Sequence, residues 1–147
     1  MRIIVVGAAG DLGRAACQEL QPRHEIVTVG RSAGDYQADV SDLDAVKSLY
    51  EKIGTFDAVV SCAGDASFAH LSDMDEENFM VGLRLKVMGQ VNLVLAGLDA
   101  ISDGGSFTLT SGVLDRDPIR MGSNAATANG ALAGFVISAA IEMPRGL

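Results

Sequence analysis

The stretch Arg2-Ile3-Ile4-Val5-Val6 runs straight into Gly7-Ala8-Ala9-Gly10-Asp11-Leu12-Gly13 and leaves as a helical segment, Arg14 to Leu20. A short apolar strand that meets a glycine-rich turn and departs as a helix constrains the fold more than any other part of the chain. Glycine serves such a turn by permitting positive φ and by letting a bulky anion approach the backbone. The helix start then offers unpaired N–H groups and the positive end of its dipole. In this context the G-x-x-G-x-x-G spacing reads as a dinucleotide-binding turn, with Gly7, Ala9, Gly10, Asp11, Leu12 and Gly13 as candidate contacts. A purely structural turn is the other reading. Asp11 likewise has two: a helix cap, or a carboxylate that would repel a phosphate.

The length of 147 residues suits one domain, residues 1–147, and the 48% hydrophobic content with 17 glycines suits a compact α/β protein. The net charge of −8 comes with no basic stripe, which argues against a nucleic-acid partner. Cys17 and Cys62 are too few for a disulfide framework and sit in apolar settings, so buried thiols and a cytoplasmic location are expected. Gly7 interrupts the first apolar run too early for a secretory signal. The longest apolar segment, Gly130 to Ile141, is about twelve residues, short of a membrane span. No Cys/His/Asp cluster has metal-ligand spacing, so no metal is expected. His24 is expected to be exposed, and His70 to lie on the side where a cofactor or substrate could sit.

Helical and strand patterns alternate along the chain. A second strand covers Glu25 to Val29, a brief third lies near Tyr36 to Ala38, and Phe56 to Val60 forms a fourth. Ser41 or Asp42 caps a helix to about Lys52, with Leu43, Val46, Leu49 and Tyr50 at helical spacing. The acidic run Asp73 to Glu77 starts the next helix, whose pattern runs from Phe79 to about Leu98. Gly104-Gly105 reads as a turn into a fifth strand, Ser106 to Thr110, and a last helix runs from Asn124 to Glu142. The order β-α-β-β-α-β-α-β-α predicts a Rossmann-like, doubly wound parallel sheet with right-handed crossovers.

Several markers fall at the spacings of one family, and the whole chain resembles the short-chain dehydrogenases/reductases. The glycine turn is similar to that family's cofactor loop in the variant spacing of its atypical and extended members. Asp39-Val40 resembles the Asp-Val/Leu pair that contacts adenine. Ser61-Cys62-Ala63-Gly64 resembles the Asn-Asn-Ala-Gly that closes strand four beside the cofactor, which makes Cys62, Ala63 and Gly64 candidate contacts. Gly105 to Ser111 resembles the strand that ends in the catalytic serine, and Asn129 to Phe135 falls where the family has its lysine-containing helix.

The resemblance implies a nicotinamide dinucleotide and a small carbonyl or alcohol substrate. The end of strand two reads Val29-Gly30-Arg31-Ser32. It has an arginine for a 2′-phosphate and no acid for the ribose hydroxyls, which favours NADP(H) over NAD(H). The family's proton relay is altered. Ala125 stands at the tyrosine position and Asn129 at the lysine position, while Lys86 replaces the helix asparagine, so lysine and asparagine look exchanged. Lys86 as the source of charge and proton, with Ser111 binding the substrate oxygen and Asn129 beside them, is one reading. A surface lysine and a strand-ending turn serine are the other. Gapless alignment puts Gly112 at the family's catalytic serine.

Two expectations concern surfaces. The family continues past the last helix into sixth and seventh strands, so strand five is expected to leave an open edge. The two long helices carry apolar residues around much of their circumference, and the resemblance implies a homodimer or higher homo-oligomer through them. Three readings of function follow: an NADP(H)-dependent oxidoreductase, a catalytically inactive dinucleotide-binding sensor or interaction protein, or a truncated product with no independent function.

Overall fold

A computed structural model describes residues 1–147. Ile3 to Val6 are all buried in strand β1, Arg2–Val6, which pairs in parallel with β2, Glu25–Gly30, on one side and with β4, Phe56–Ser61, on the other. Apolar runs of this kind suit strands covered on both faces. The short β3, Tyr36–Gln37, pairs with β2, and β5, Ile101–Leu109, pairs with β4. The sheet order is β3-β2-β1-β4-β5, parallel throughout, as a doubly wound α/β fold requires. Strands β3 and β5 are the two sheet edges.

Alternation along the strands separates two cores. Ile4, Val6, Val29 and Val59 face one side and pack with Val46, Leu49 and Tyr50 of α2, Leu43–Ile53, and with Leu93 of α3, Glu76–Gly97. Ile3, Val5 and Ala58 face the other, with Cys17 and Leu20 of α1, Asp11–Leu20. Asp42 caps α2 by accepting from the backbone N–H groups of Asp44 (2.9 Å) and Ala45 (3.3 Å), a contact worth about 1 kcal/mol. The helix ends at Gly54, whose φ of +76° suits glycine.

Asp75 caps α3 through the N–H of Asn78 at 2.7 Å. The helix is α-helical over Glu76–Val81, π-helical over Gly82–Met88 and α-helical again over Gly89–Gly97. Nothing in the apolar spacing foretold the π segment. α3 is 22 residues long, and its most apolar 18-residue window has a mean hydropathy of 1.3. Here it lies between α2 and the last helix, α4, Ser123–Ala139.

Strand β5 begins at Ile101, earlier than the glycine pair suggested. Ile101 pairs with Phe56 and Ser106 with Ala58, so Ser102–Gly105 bulges out within the strand. Gly104 takes φ +70° there, a use of glycine in a bulge rather than in a turn before the strand. The last helix stops at Ala139, three residues short of Glu142.

Candidate functional site

The glycine turn connects β1 to α1 at the carboxyl end of the sheet, where open α/β sheets bind ligands. Gly7 takes φ +80°, and a methyl group on it would lie 2.9 Å from Ala63 N and Cys62 O. A methyl on Gly13 would come within 2.1 Å of the Gly7 carbonyl oxygen. The turn therefore presses directly on the Cys62-Ala63-Gly64 segment after β4. Gly10 is the N-cap of α1 and supplies no side-chain acceptor, so the first amides of α1, from Asp11 to Gly13, are left for an external anion. This cradle fits a pyrophosphate.

Of the two readings of Asp11, the helix cap is the one the structure overturns. Its carboxylate does not cap α1 but is fully exposed and pairs with the Arg14 guanidinium, which also donates to the Ala9 carbonyl. Arg14 thus straps the turn and offsets the acid beside the phosphate position, a role the sequence reading missed. Leu12 is exposed.

Next to the turn, Arg31, Asp39, Val40, Ala63, Gly64 and Asp65 line a cleft of about 170 Å³. The Asp39 carboxylate accepts from the Ser41 hydroxyl (2.7 Å) and N–H (3.0 Å), and these bonds hold its pKa below the usual carboxylate value. Nearby Arg31 adds to the same effect and is itself exposed. The Val40 carbonyl accepts from the buried Asn92 amide at 3.0 Å. Ser32 lies outside the cleft, its carbonyl accepting from Gln37 at 3.2 Å.

The three candidate catalytic residues come together. Lys86 Nζ donates to the Ser111 carbonyl at 3.2 Å, and the Ser111 hydroxyl donates to the Asn129 carbonyl at 3.1 Å. Lys86 lies flat against Gly64, where a methyl group would be 2.9 Å from its Cγ, so the lysine touches the segment that closes β4. Burial lowers its pKa below the ordinary lysine value. Asn129 is 2% exposed, and its Oδ1 has no hydrogen-bond partner.

A buried amide sets the frame of this group. Gln90 accepts from Thr110 N–H (2.8 Å) and donates to the Thr110 carbonyl (2.9 Å), while the Thr110 hydroxyl donates to the Ser61 carbonyl at 2.6 Å. Gln90 replaces the strand neighbour that the end of β5 lacks, and so fixes Ser111 against α3. Its position four residues after Lys86, on the same helical face, was the available signal.

No tyrosine reaches the site. Tyr50 is buried between α2 and α3, where its hydroxyl donates to the Leu93 carbonyl at 3.0 Å and burial pushes its pKa up. Tyr36 sits in edge strand β3. Ala125 is buried in α4. His70 is exposed, whereas His24 is half-buried with an unpartnered Nδ1, not exposed as expected. It precedes β2, at the opposite end of the strands from the site. Cys17 and Cys62 are free and half-buried rather than fully enclosed, and burial raises both thiol pKa values.

The family whose sequence model is described as enoyl-(acyl carrier protein) reductase matches residues 2–146. A versicolorin reductase of Emericella nidulans is 36% identical over 91 residues, covering 59% of this chain and 34% of its own. Elsinochrome reductase 1 of Elsinoe fawcettii is 28% identical over 133 residues, covering 75% of this chain and 50% of its own. The chain thus spans about a third to a half of the length of the curated relatives it matches. The solved structure of a Listeria innocua protein superposes with TM-score 0.97 at 46% identity, over 99% of this chain and 73% of that one. A small-chain dehydrogenase in complex with NADPH superposes with TM-score 0.90 at 26% identity, over 98% and 65%. Sequence match, strand order and glycine turn agree, and the chain belongs to the short-chain dehydrogenase/reductase family.

Proposed function

We propose that this chain carries the cofactor-binding and proton-donating parts of an NADP(H)-dependent oxidoreductase that interconverts a carbonyl and an alcohol. The observation that carries the reading is the placement of Lys86: half-buried, against Gly64, with its ammonium 3.2 Å from the Ser111 carbonyl. Reductase relatives and the NADPH complex of a structural neighbour support it.

Gly7, Ala9, Gly10, Asp11, Leu12 and Gly13 would hold the pyrophosphate, Asp39, Val40, Ala63 and Gly64 the adenosine side, and Arg31 the 2′-phosphate. A bound nicotinamide would supply the hydride. Lys86 holds the proton at Nζ for the substrate oxygen, in place of the family's tyrosine. Its donor bond to the Ser111 carbonyl leaves two ammonium hydrogens free. Desolvation brings its pKa closer to the working pH, where a general acid is most effective. The Ser111 hydroxyl, donating to Asn129, keeps its lone pairs available to orient a substrate group.

The second reading, a catalytically silent dinucleotide-binding protein, rests on Ala125, buried where the family's tyrosine stands. Outward-facing Leu95, Val136 and Ile137 support association of copies through α3 and α4, which light scattering tests.

Titration of the purified chain with NADPH and NADH, followed by nicotinamide fluorescence, tests the cofactor assignment. NADPH binds more tightly, and Arg31→Ala weakens NADPH about tenfold or more, roughly 1.4 kcal/mol, without changing NADH. Equal loss for both cofactors would overturn the role of Arg31. Binding without turnover across a carbonyl panel would favour the silent reading.

A further inference from the structure

Asn124, the second residue of α4, is fully buried and uses its side-chain amide on two other segments. Its Oδ1 accepts from Ser67 N–H at 2.9 Å and from Gly82 N–H at 3.1 Å, and its Nδ2 donates to the Phe79 carbonyl. Gly82 is the first residue of the π segment of α3, and Lys86 lies within that segment. A methyl group on Gly82 would sit 2.5 Å from Asn124 Oδ1, so glycine is what admits the amide to the helix backbone.

A second contact fixes the far end of the segment. Gly89 faces Val40, whose Cγ2 would be 3.3 Å from a methyl group there. Gly89 N–H bonds to the Arg84 carbonyl, five residues back, in the π pattern. In a regular α-helix, residues seven apart return to within roughly 20° of the same face. Gly82 faces α4 on one flank of α3, whereas Gly89 faces the connection before α2 on the other. The wider π turns supply the rotation that both contacts require, and an amide inserted into a helix ladder is a known cause of such a break.

We infer that Asn124 is a positioning residue for Lys86: by holding the helix backbone open at Phe79 and Gly82, it sets the π register that carries Nζ to the Ser111 carbonyl. The inference extends the assignment of Lys86 above and rests on it only for its catalytic consequence. Without the Asn124 amide, Gly82 N–H regains a carbonyl in the preceding turn, α3 closes to regular α geometry, and Lys86 leaves Ser111 for solvent.

The chain has only three lysines, Lys47, Lys52 and Lys86, so the test is direct. The full chain is labelled with ¹³C,¹⁵N-lysine and the three side-chain amines are titrated by NMR, with Lys86→Ala assigning the signal. Asp39 and Asp65 line the cleft beside Leu85 and are left unchanged in every variant. In the unaltered chain Lys86 titrates below the ordinary lysine value. In Asn124→Ala, and independently in Gly82→Ala, it rises toward the ordinary lysine value while the circular dichroism keeps its helical form. A Lys86 midpoint unmoved in folded variants would overturn the inference. Should neither variant fold, hydrogen exchange in the unaltered chain decides: Gly82 and Ser67 amides protected with the rest of α3 uphold the stitch, and exchange at the rate of exposed amides overturns it. None of these readouts needs a substrate, so an unchanged turnover in Lys86→Ala would remove the catalytic reading and leave this one standing.

Discussion

The Asn129 side chain fills the place that a side chain on Gly112 would take: a methyl group on Gly112 would lie 2.7 Å from Asn129 Nδ2. The two departures from the family pattern are therefore one spatial exchange. A serine at 112 and an asparagine at 129 compete for the same volume, and overpacking of this kind typically costs about 1–3 kcal/mol. Gly112→Ser alone is expected to destabilise by that amount. In an Asn129→Ala background the cost should fall by about 1 kcal/mol or more, since contacting residues couple on this scale. Urea melts of the four proteins measure the coupling; additive effects would show that the two positions are independent.

Carbonyl reduction should lose activity as the pH rises. On the proposed assignment the acid is protonated Lys86, whose pKa burial holds below the ordinary lysine value, so kcat/KM falls through that lowered value and gives an alkaline limb below the usual lysine range. Lys86→Ala should remove the limb and slow turnover by about 10²–10⁴-fold. The linkage has a definite sign. Between the lowered folded pKa and the unfolded one the unfolded chain binds more protons, so this group makes stability rise with pH across that interval. A pH series of melts comparing the unaltered chain with Lys86→Met checks it, the variant showing the flatter slope.

Two glycines of the turn should separate folding from binding. Gly10 has its nearest would-be contact at 3.4 Å and takes ordinary helical-cap backbone, so Gly10→Ala should change stability by no more than about 0.5 kcal/mol. On the proposed cofactor assignment the added methyl narrows the turn that would hold the pyrophosphate, and NADPH affinity should drop about tenfold or more. Gly13→Ala drives a methyl to 2.1 Å from the Gly7 carbonyl oxygen, and should cost at least about 1–3 kcal/mol as well. Thermal melts beside fluorescence titrations distinguish the two. Equal stability of both variants would refute the assignment.

Gln90→Leu keeps the bulk of a fully buried side chain but leaves the Thr110 N–H and carbonyl without their partner. Each unsatisfied buried group costs about 1–3 kcal/mol, so the variant should lose about 2 kcal/mol or more. Chemical denaturation reads this directly; a change under about 0.5 kcal/mol would mean that water takes over the amide's bonds.

The sequence was most readable where one residue type has one geometric use. Gly7 and Gly13 announced the turn because no side chain fits there, and Asp42 announced α2 because a carboxylate satisfies its first amides. The grouping of Lys86, Ser111 and Asn129 was legible through family spacing. Local signals failed where distant contacts decide the backbone. Gly104-Gly105 reads as a turn, yet pairing with Phe56 carries β5 through it as a bulge. The π segment depends on Asn124, which lies 42 residues from Gly82, and no local periodicity encodes such a partner. Asp11 misled because a carboxylate at a helix start usually caps, whereas here Arg14 takes it.

The packing of the glycine turn divides the candidate cofactor surface into a part that cannot vary and a part that can. Gly7 and Gly13 are wedged against Cys62, Ala63 and each other, so this end of the surface is closed to substitution by the demands of folding itself. Arg31 and Ser32 stand exposed beyond β2 and hold up no part of the core. On the proposed cofactor assignment, preference would be rewritten at the Arg31 side chain without disturbing the scaffold, which makes that loop the natural place for redesign.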